Sequence, residues 1–140
     1  MARLVVAIAL AAIFAAIAGA EVISLNDATF TDKVKEQDTV WFIKFFAPWC
    51  GHCKRLAPTW DELGKAIESE AGVEVARVDC TVDRAVCEKA GVNAYPTLKI
   101  FYNGEEVKKY SGARDLDSLK KFAIDSAAEI SKAKLENDSL

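Results

Sequence analysis

Residues 40 to 47 read Val-Trp-Phe-Ile-Lys-Phe-Phe-Ala, an almost unbroken run of β-branched and aromatic side chains. A strand that is apolar on both faces has to be covered on both, so this run predicts the central strand of a sheet held between helical layers. The run leads directly into Pro48-Trp49-Cys50-Gly51-His52-Cys53, which sets two cysteines two residues apart where the strand ends. The segment from about Cys50 to Ala71 reads as a helix, because Leu56, Trp60, Leu63 and Ile67 recur at helical spacing. Pro58 is expected to kink that helix and Gly72 to stop it.

Around this unit the remaining patterns alternate. Val22 to Leu25 reads as a short strand, and Asn26 or Asp27 as the cap of a helix reaching about Gln37. Val73 to Asp79 is a second buried strand, followed by a short helix from Arg84 to Ala90 that Gly91 ends. Thr97 to Tyr102 and Glu106 to Tyr110, joined by Asn103-Gly104, form a β-hairpin, since Asn-Gly suits the left-handed positions of a type I′ turn. A last amphipathic helix spans about Leu116 to Ala133, leaving residues 134 to 140 as a short polar tail that frays. Strands separated by helices, with a closing hairpin, define an α/β domain whose mixed central β-sheet is flanked by helices on both faces.

The first residues bear on the compartment. After Arg3 the chain is uncharged and almost entirely apolar from Leu4 to Ala20, and it closes on Ala18-Gly19-Ala20. A positive start, a short apolar run and small residues at the end are the parts of a cleaved signal peptide, so residues 1 to 20 are set apart from the fold and Glu21 begins the mature chain. Residues 21 to 133 then make one domain, with no stable membrane association expected once the leader is gone. A formal net charge of −3 gives no electrostatic footprint for nucleic acid. All four cysteines lie beyond the leader, and in an oxidising compartment disulfides persist.

Cys50, at a helix start, has free backbone amides and the positive end of the helix dipole beside its sulfur, which favours the thiolate. Thiolates attack disulfides, so Cys50 is the expected nucleophile, and Cys53, one turn inward, the residue that closes a disulfide with it. His52, the chain's only histidine, can stabilise the reduced thiolate and make the disulfide a stronger oxidant. An inert structural staple is the plain alternative, though an exposed helix start beside Trp49 is a poor place for one. A zinc site would need Cys50, Cys53, Cys80 and Cys87, or three of these with His52. The six residues between Cys80 and Cys87 depart from the two to four of zinc modules, so no metal is expected.

The stretch Phe45 to Pro58, with Ala47-Pro48-Trp49-Cys50-Gly51-His52-Cys53-Lys54, resembles the active site of the protein disulfide isomerases of the thioredoxin superfamily. Val78-Asp79-Cys80, Gly91-Val92, Tyr95-Pro96-Thr97 and Tyr110-Ser111-Gly112-Ala113-Arg114 resemble that family's later motifs in the same order. The resemblance implies a thioredoxin fold, dithiol–disulfide exchange with protein substrates, and no metal or organic cofactor. It further implies that Pro96 is cis and faces Cys50, that the backbone of Tyr95 pairs with an extended substrate, and that Arg114 swings toward Cys53 to favour its thiolate. From the residues alone, Pro96 reads as an ordinary trans proline at a strand start and Arg114 as a solvated loop charge. Trp49, Tyr95 and Pro96 would form an apolar rim suited to unfolded chains. Trp41, Phe42, Phe45 and Phe46 read as core.

Lys44 is the one charge in the strand from Val40 to Ala47, where the family usually carries a buried acid that relays a proton for Cys53, and Arg77 in the neighbouring strand is basic too. Either burial lowers the Lys44 pKa until its neutral amine takes that proton, or the stem packs while the ammonium reaches solvent; the second is the expectation. Cys80 and Cys87 permit a structural disulfide, a regulatory redox pair or free thiols, with the structural bond expected.

The reading is a single-domain thiol–disulfide oxidoreductase, similar to protein disulfide isomerase, that forms, reduces or reshuffles disulfides in secretory-pathway proteins. Its expected partners are unfolded or disulfide-bearing proteins and a recycling partner or glutathione, and it is expected to be a monomer. A thioredoxin-like reductant and a noncovalent chaperone-type binding module are the rivals. Asn137-Asp138-Ser139-Leu140 shares only Asp and Leu with the Lys-Asp-Glu-Leu retention signal, which leaves retention through a degenerate signal, retention by a partner and secretion open; residence in the endoplasmic reticulum lumen is the expectation, with secretion as the alternative.

Overall fold

The computed structural model describes residues 21 to 67, 70 and 72 to 140; the expected leader lies outside them. Strand β1 (Ile23–Ser24) is followed by α1 (Phe30–Val34), β2 (Val40–Phe46), α2 (Gly51–Ala66), β3 (Val73–Asp79), α3 (Arg84–Lys89), the hairpin β4 (Thr97–Tyr102) and β5 (Glu105–Tyr110), and α4 (Leu116–Asp138). The five strands lie in one mixed sheet in the order β1-β3-β2-β4-β5. β3 runs parallel to both β1 and β2, whereas β4 is antiparallel to β2 and β5 to β4.

β2 sits in the middle because both of its faces are apolar. Trp41, Ile43 and Phe45 pack in a core with Val34 and Val86, which α1 and α3 supply. Val40 and Phe42 face the opposite way into a core with Leu56, Trp60 and Leu119 of α2 and α4. The Trp60 indole donates to the Ala76 carbonyl at 3.0 Å, tying α2 to β3. On the other side, the buried Lys99 ammonium bonds the Ala90 carbonyl at the end of α3 and pairs with Glu106. Asn103 and Gly104 have φ of 54° and 84°, the left-handed pair that a type I′ turn requires.

The helix ends differ from the sequence expectation in several places: α1 stops at Val34 instead of near Gln37, and α2 stops at Ala66, with Ile67 as its cap, instead of near Ala71. α1 starts later because the Asn26 carboxamide oxygen accepts from the amides of Ala28 and Thr29, closing a tight turn and leaving Thr29 as the helix cap. α4 continues five residues past Ala133, to Asp138. No glycine or proline interrupts the chain after Leu116, and Lys134 pairs with Asp38, so the polar end remains helical. At the sheet margins β1 has two residues, and β5 carries exposed Glu105, Glu106 and Lys109.

Candidate active site

β2 ends in Phe46 and Ala47, and the Cys50 amide donates back to the Ala47 carbonyl at 3.1 Å, which turns the chain into α2. Cys50 is the helix N-cap, with extended φ and ψ of −73° and 123°. The sulfur takes the part that a serine or aspartate oxygen plays at other caps: it accepts the Cys53 amide at 3.2 Å. Both cysteines are thiols, 8 % exposed at Cys50 and 3 % at Cys53. The pair therefore has an outer and an inner sulfur.

The electrostatics sharpen that difference. Burial pushes the Cys50 thiol up, but hydrogen bonds from the Cys53 thiol and the amides of Cys53 and His52, together with the Arg114 charge, outweigh it and leave Cys50 below the ordinary thiol value. Burial pushes Cys53 up, and with the thiol hydrogen bond and the charge of Cys50 carries it to about 11 against the Ala47 amide and Lys44.

Across from the sulfurs the Tyr95–Pro96 peptide is cis. The Tyr95 carbonyl lies 3.6 Å from the Cys50 sulfur, so the outer thiol donates to it. Trp49 is 69 % exposed and stands edge-on to Tyr95, with ring centroids 5.9 Å apart. Trp49, Tyr95 and the cis peptide thus surround Cys50 with an apolar rim. Gly51 opens onto free space, with no atom within 4 Å of where a Cβ would stand. His52 is exposed, and its Nδ1 lies 2.8 Å from the Arg55 guanidinium, a donor, so Nδ1 is the accepting nitrogen.

The sequence singles out four further residues. Arg114 is exposed in the loop before α4, where its charge acts on Cys50. Cys80 and Cys87 are joined by a disulfide with Cα atoms 5.7 Å apart, between the end of β3 and α3. Lys44 is buried at 3 % exposure with its ammonium 4.9 Å from the centroid of the Phe46 ring. Sequence reasoning assigned Phe46 to the core without seeing that it packs on the Cys50–Cys53 cluster. It also passed over Arg55 and Asp61; the i, i+3 spacing of His52 to Arg55 and the i, i+4, i+8 ladder from Cys53 to Asp61 were the available signals.

A mixed sheet that delivers a vicinal dithiol to a helix start, opposite a cis-proline, defines a thiol–disulfide oxidoreductase of the thioredoxin fold. The thioredoxin family profile matches residues 21–125, and the chain belongs to the protein disulfide isomerase family within that superfamily. It is 51 % identical over 138 residues to "Protein disulfide isomerase-like 5-1" of Oryza sativa subsp. japonica, covering 97 % of this chain and 94 % of that one. It is 52 % identical over 122 residues to "Protein disulfide-isomerase 5-1" of Arabidopsis thaliana, covering 86 % and 84 % respectively. Among solved structures, the J-Trx1 fragment of ERdj5 superposes with a TM-score of 0.71 at 37 % identity, over 79 % of this chain and 53 % of that one. The first thioredoxin domain of mouse protein disulfide-isomerase A4 gives 0.67 at 31 %, over 74 % of each.

Proposed function

We propose that this chain forms, reduces or reshuffles disulfides in proteins of the secretory pathway, with Cys50 as the attacking sulfur and Cys53 as the resolving one. The carrying observation is the Cys53 amide bonded to the Cys50 sulfur, which lowers one thiol while its neighbour stays high. Oxidised, the pair accepts a substrate thiolate and hands over its disulfide; reduced, Cys50 attacks a wrong bond and Cys53 displaces the product.

The Tyr95 backbone and the rim of Trp49, Tyr95 and Pro96 receive an extended apolar segment of an unfolded or disulfide-bearing protein, and glutathione or a redox partner recycles the pair. The His52 imidazole and the Arg114 charge favour the reduced thiolate, which makes the disulfide the more oxidising. A lumenal compartment fits the leader pattern of residues 1 to 20 and the Cys80–Cys87 bond, since such bonds persist in oxidising surroundings.

The test is the equilibrium potential of residues 21 to 140 in graded glutathione buffers, with alkylation and mass spectrometry reporting each cysteine pair. A value for Cys50–Cys53 near the isomerase range, about −180 mV, is expected, and one near the thioredoxin value of about −270 mV would replace this reading with that of a reductant. His52→Ala should move the potential downward by about 30 mV or more, because the reduced state loses a stabilising group.

A further inference from the structure

We propose that Lys44 serves the release step as a counter-cation for Cys53, with Asp61 of α2 as the carboxylate that supports its charge. The proposal rests on the assignment of Cys50 as attacking and Cys53 as resolving sulfur.

Side chains alternate along β2, and with Trp41, Ile43 and Phe45 turned toward α1 and α3, Lys44 shares the α2 side with Phe42. There it is 3 % exposed, and among the described residues no carboxylate lies within ion-pair distance of it. Its ammonium rests over the Phe46 ring, and that ring packs against Cys50 and Cys53. Directly across the strand pair stands Arg77, a second cation in register with it. Asp61 and Arg77, with Glu21, Val22 and Lys65, line a cavity of about 290 Å³ beside this cluster. The charged groups bearing on Lys44 are thus Asp61 and Cys53 from α2 and Arg77 from β3, with Glu21 and Lys65 at the cavity wall.

A lysine side chain drawn this far out of water with no close anion is costly, and a methionine would fill the same space without that cost. The charge makes sense if the anion it serves exists only during the reaction. Burial pushes the Lys44 pKa down, Asp61 and Cys53 pull it up, and Arg77 pushes it down again, with a net below the ordinary lysine value. The attraction is mutual: Lys44 is one of the two influences that lower Cys53, while burial and Cys50 hold that thiol near 11. Lys44 is not among the groups acting on Cys50.

In the release step Cys50 is bonded to a substrate sulfur. The Cys53 thiol gives its proton to solvent, and the thiolate attacks the Cys50 sulfur. As the Cys50–Cys53 bond forms, the bond to the substrate breaks and its electron pair leaves on the substrate sulfur, which takes a proton from solvent. Two electrons have then passed from the protein dithiol to the substrate disulfide. Lys44 touches none of the reacting sulfurs; it is a positioning residue that makes the intermediate Cys53 thiolate accessible near neutral pH.

The test tracks one mixed disulfide through its formation and decay. Reduced protein is mixed with a disulfide-bearing peptide, quenched in acid and resolved by mass spectrometry across a pH series, for the native chain, Lys44→Met, Lys44→Arg and Asp61→Asn. Lys44→Met is expected to leave formation by Cys50 unchanged while decay slows roughly tenfold near neutral pH, with its rise displaced upward by about one pH unit. Lys44→Arg, which keeps the cation but cannot give up its proton, should decay at nearly the native rate. Asp61→Asn should lose rate at the alkaline end, where Lys44 discharges earlier. A native decay profile in Lys44→Met overturns the proposal, and so does Lys44→Arg decaying as slowly as Lys44→Met, since the lysine would then act by accepting a proton. If Cys53→Ala accumulates no mixed disulfide at all, the assignment of Cys50 falls first and this inference with it.

Discussion

The backbone amide of Cys53 donates to the Cys50 sulfur at 3.2 Å, so the helix that carries both cysteines stabilises a negative charge on only one of them. Thiolate fraction rises with pH and reaches half at the pKa. A thiol held below its ordinary value is therefore more ionised at any given pH than one raised to about 11. Iodoacetamide applied to the reduced protein at pH 7 should label Cys50 and spare Cys53, with Cys53 labelling emerging only in strongly alkaline buffer. Peptide mapping over a pH series reads both; equal labelling at pH 7 would contradict the asymmetry.

The Cys80–Cys87 bond closes a loop with a sequence separation of 7, and both sulfurs are buried in the core under α1 and α3. Replacing both by alanine should lower unfolding free energy by about 2 to 3 kcal/mol, chiefly by freeing the unfolded chain. Urea denaturation of the double variant measures this, and an unchanged midpoint would mean that the bond adds nothing to stability.

Lys99 is buried and Glu106 is half-exposed, so the two ends of their ion pair respond differently to removal. Glu106→Ala strands a buried ammonium on the Ala90 carbonyl and should cost about 1 to 3 kcal/mol. Lys99→Met removes the buried charge along with its need for a partner and should cost less. Chemical denaturation of the two variants gives the order; Lys99→Met as the more damaging would show that the helix-end carbonyl, not the charge, dominates.

The strands were legible because their signals are local. The bounds of β3 and β4 coincide with the apolar runs that announced them, and Asn103-Gly104 fixed the turn of the hairpin. Helix ends were less so, since Asn26 spends its side chain on a turn and Lys134 finds its partner, Asp38, in a distant segment. At the site, the order of Cys50 and Cys53 was readable from the helix start alone. The surroundings of Lys44 were not, because they depend on how α2 lies over β2 and β3, which brings Phe46, Asp61 and Arg77 together from three elements.

A protein whose partners present loose, strand-forming segments runs the risk that such a segment adds to its own sheet instead of leaving. One margin of this sheet is two residues long, too short to serve as a template, and the other displays glutamates and lysines along an exposed rim. Short and charged margins resist strand addition, so aggregation with the partner is discouraged while the face bearing the sulfurs stays open to it.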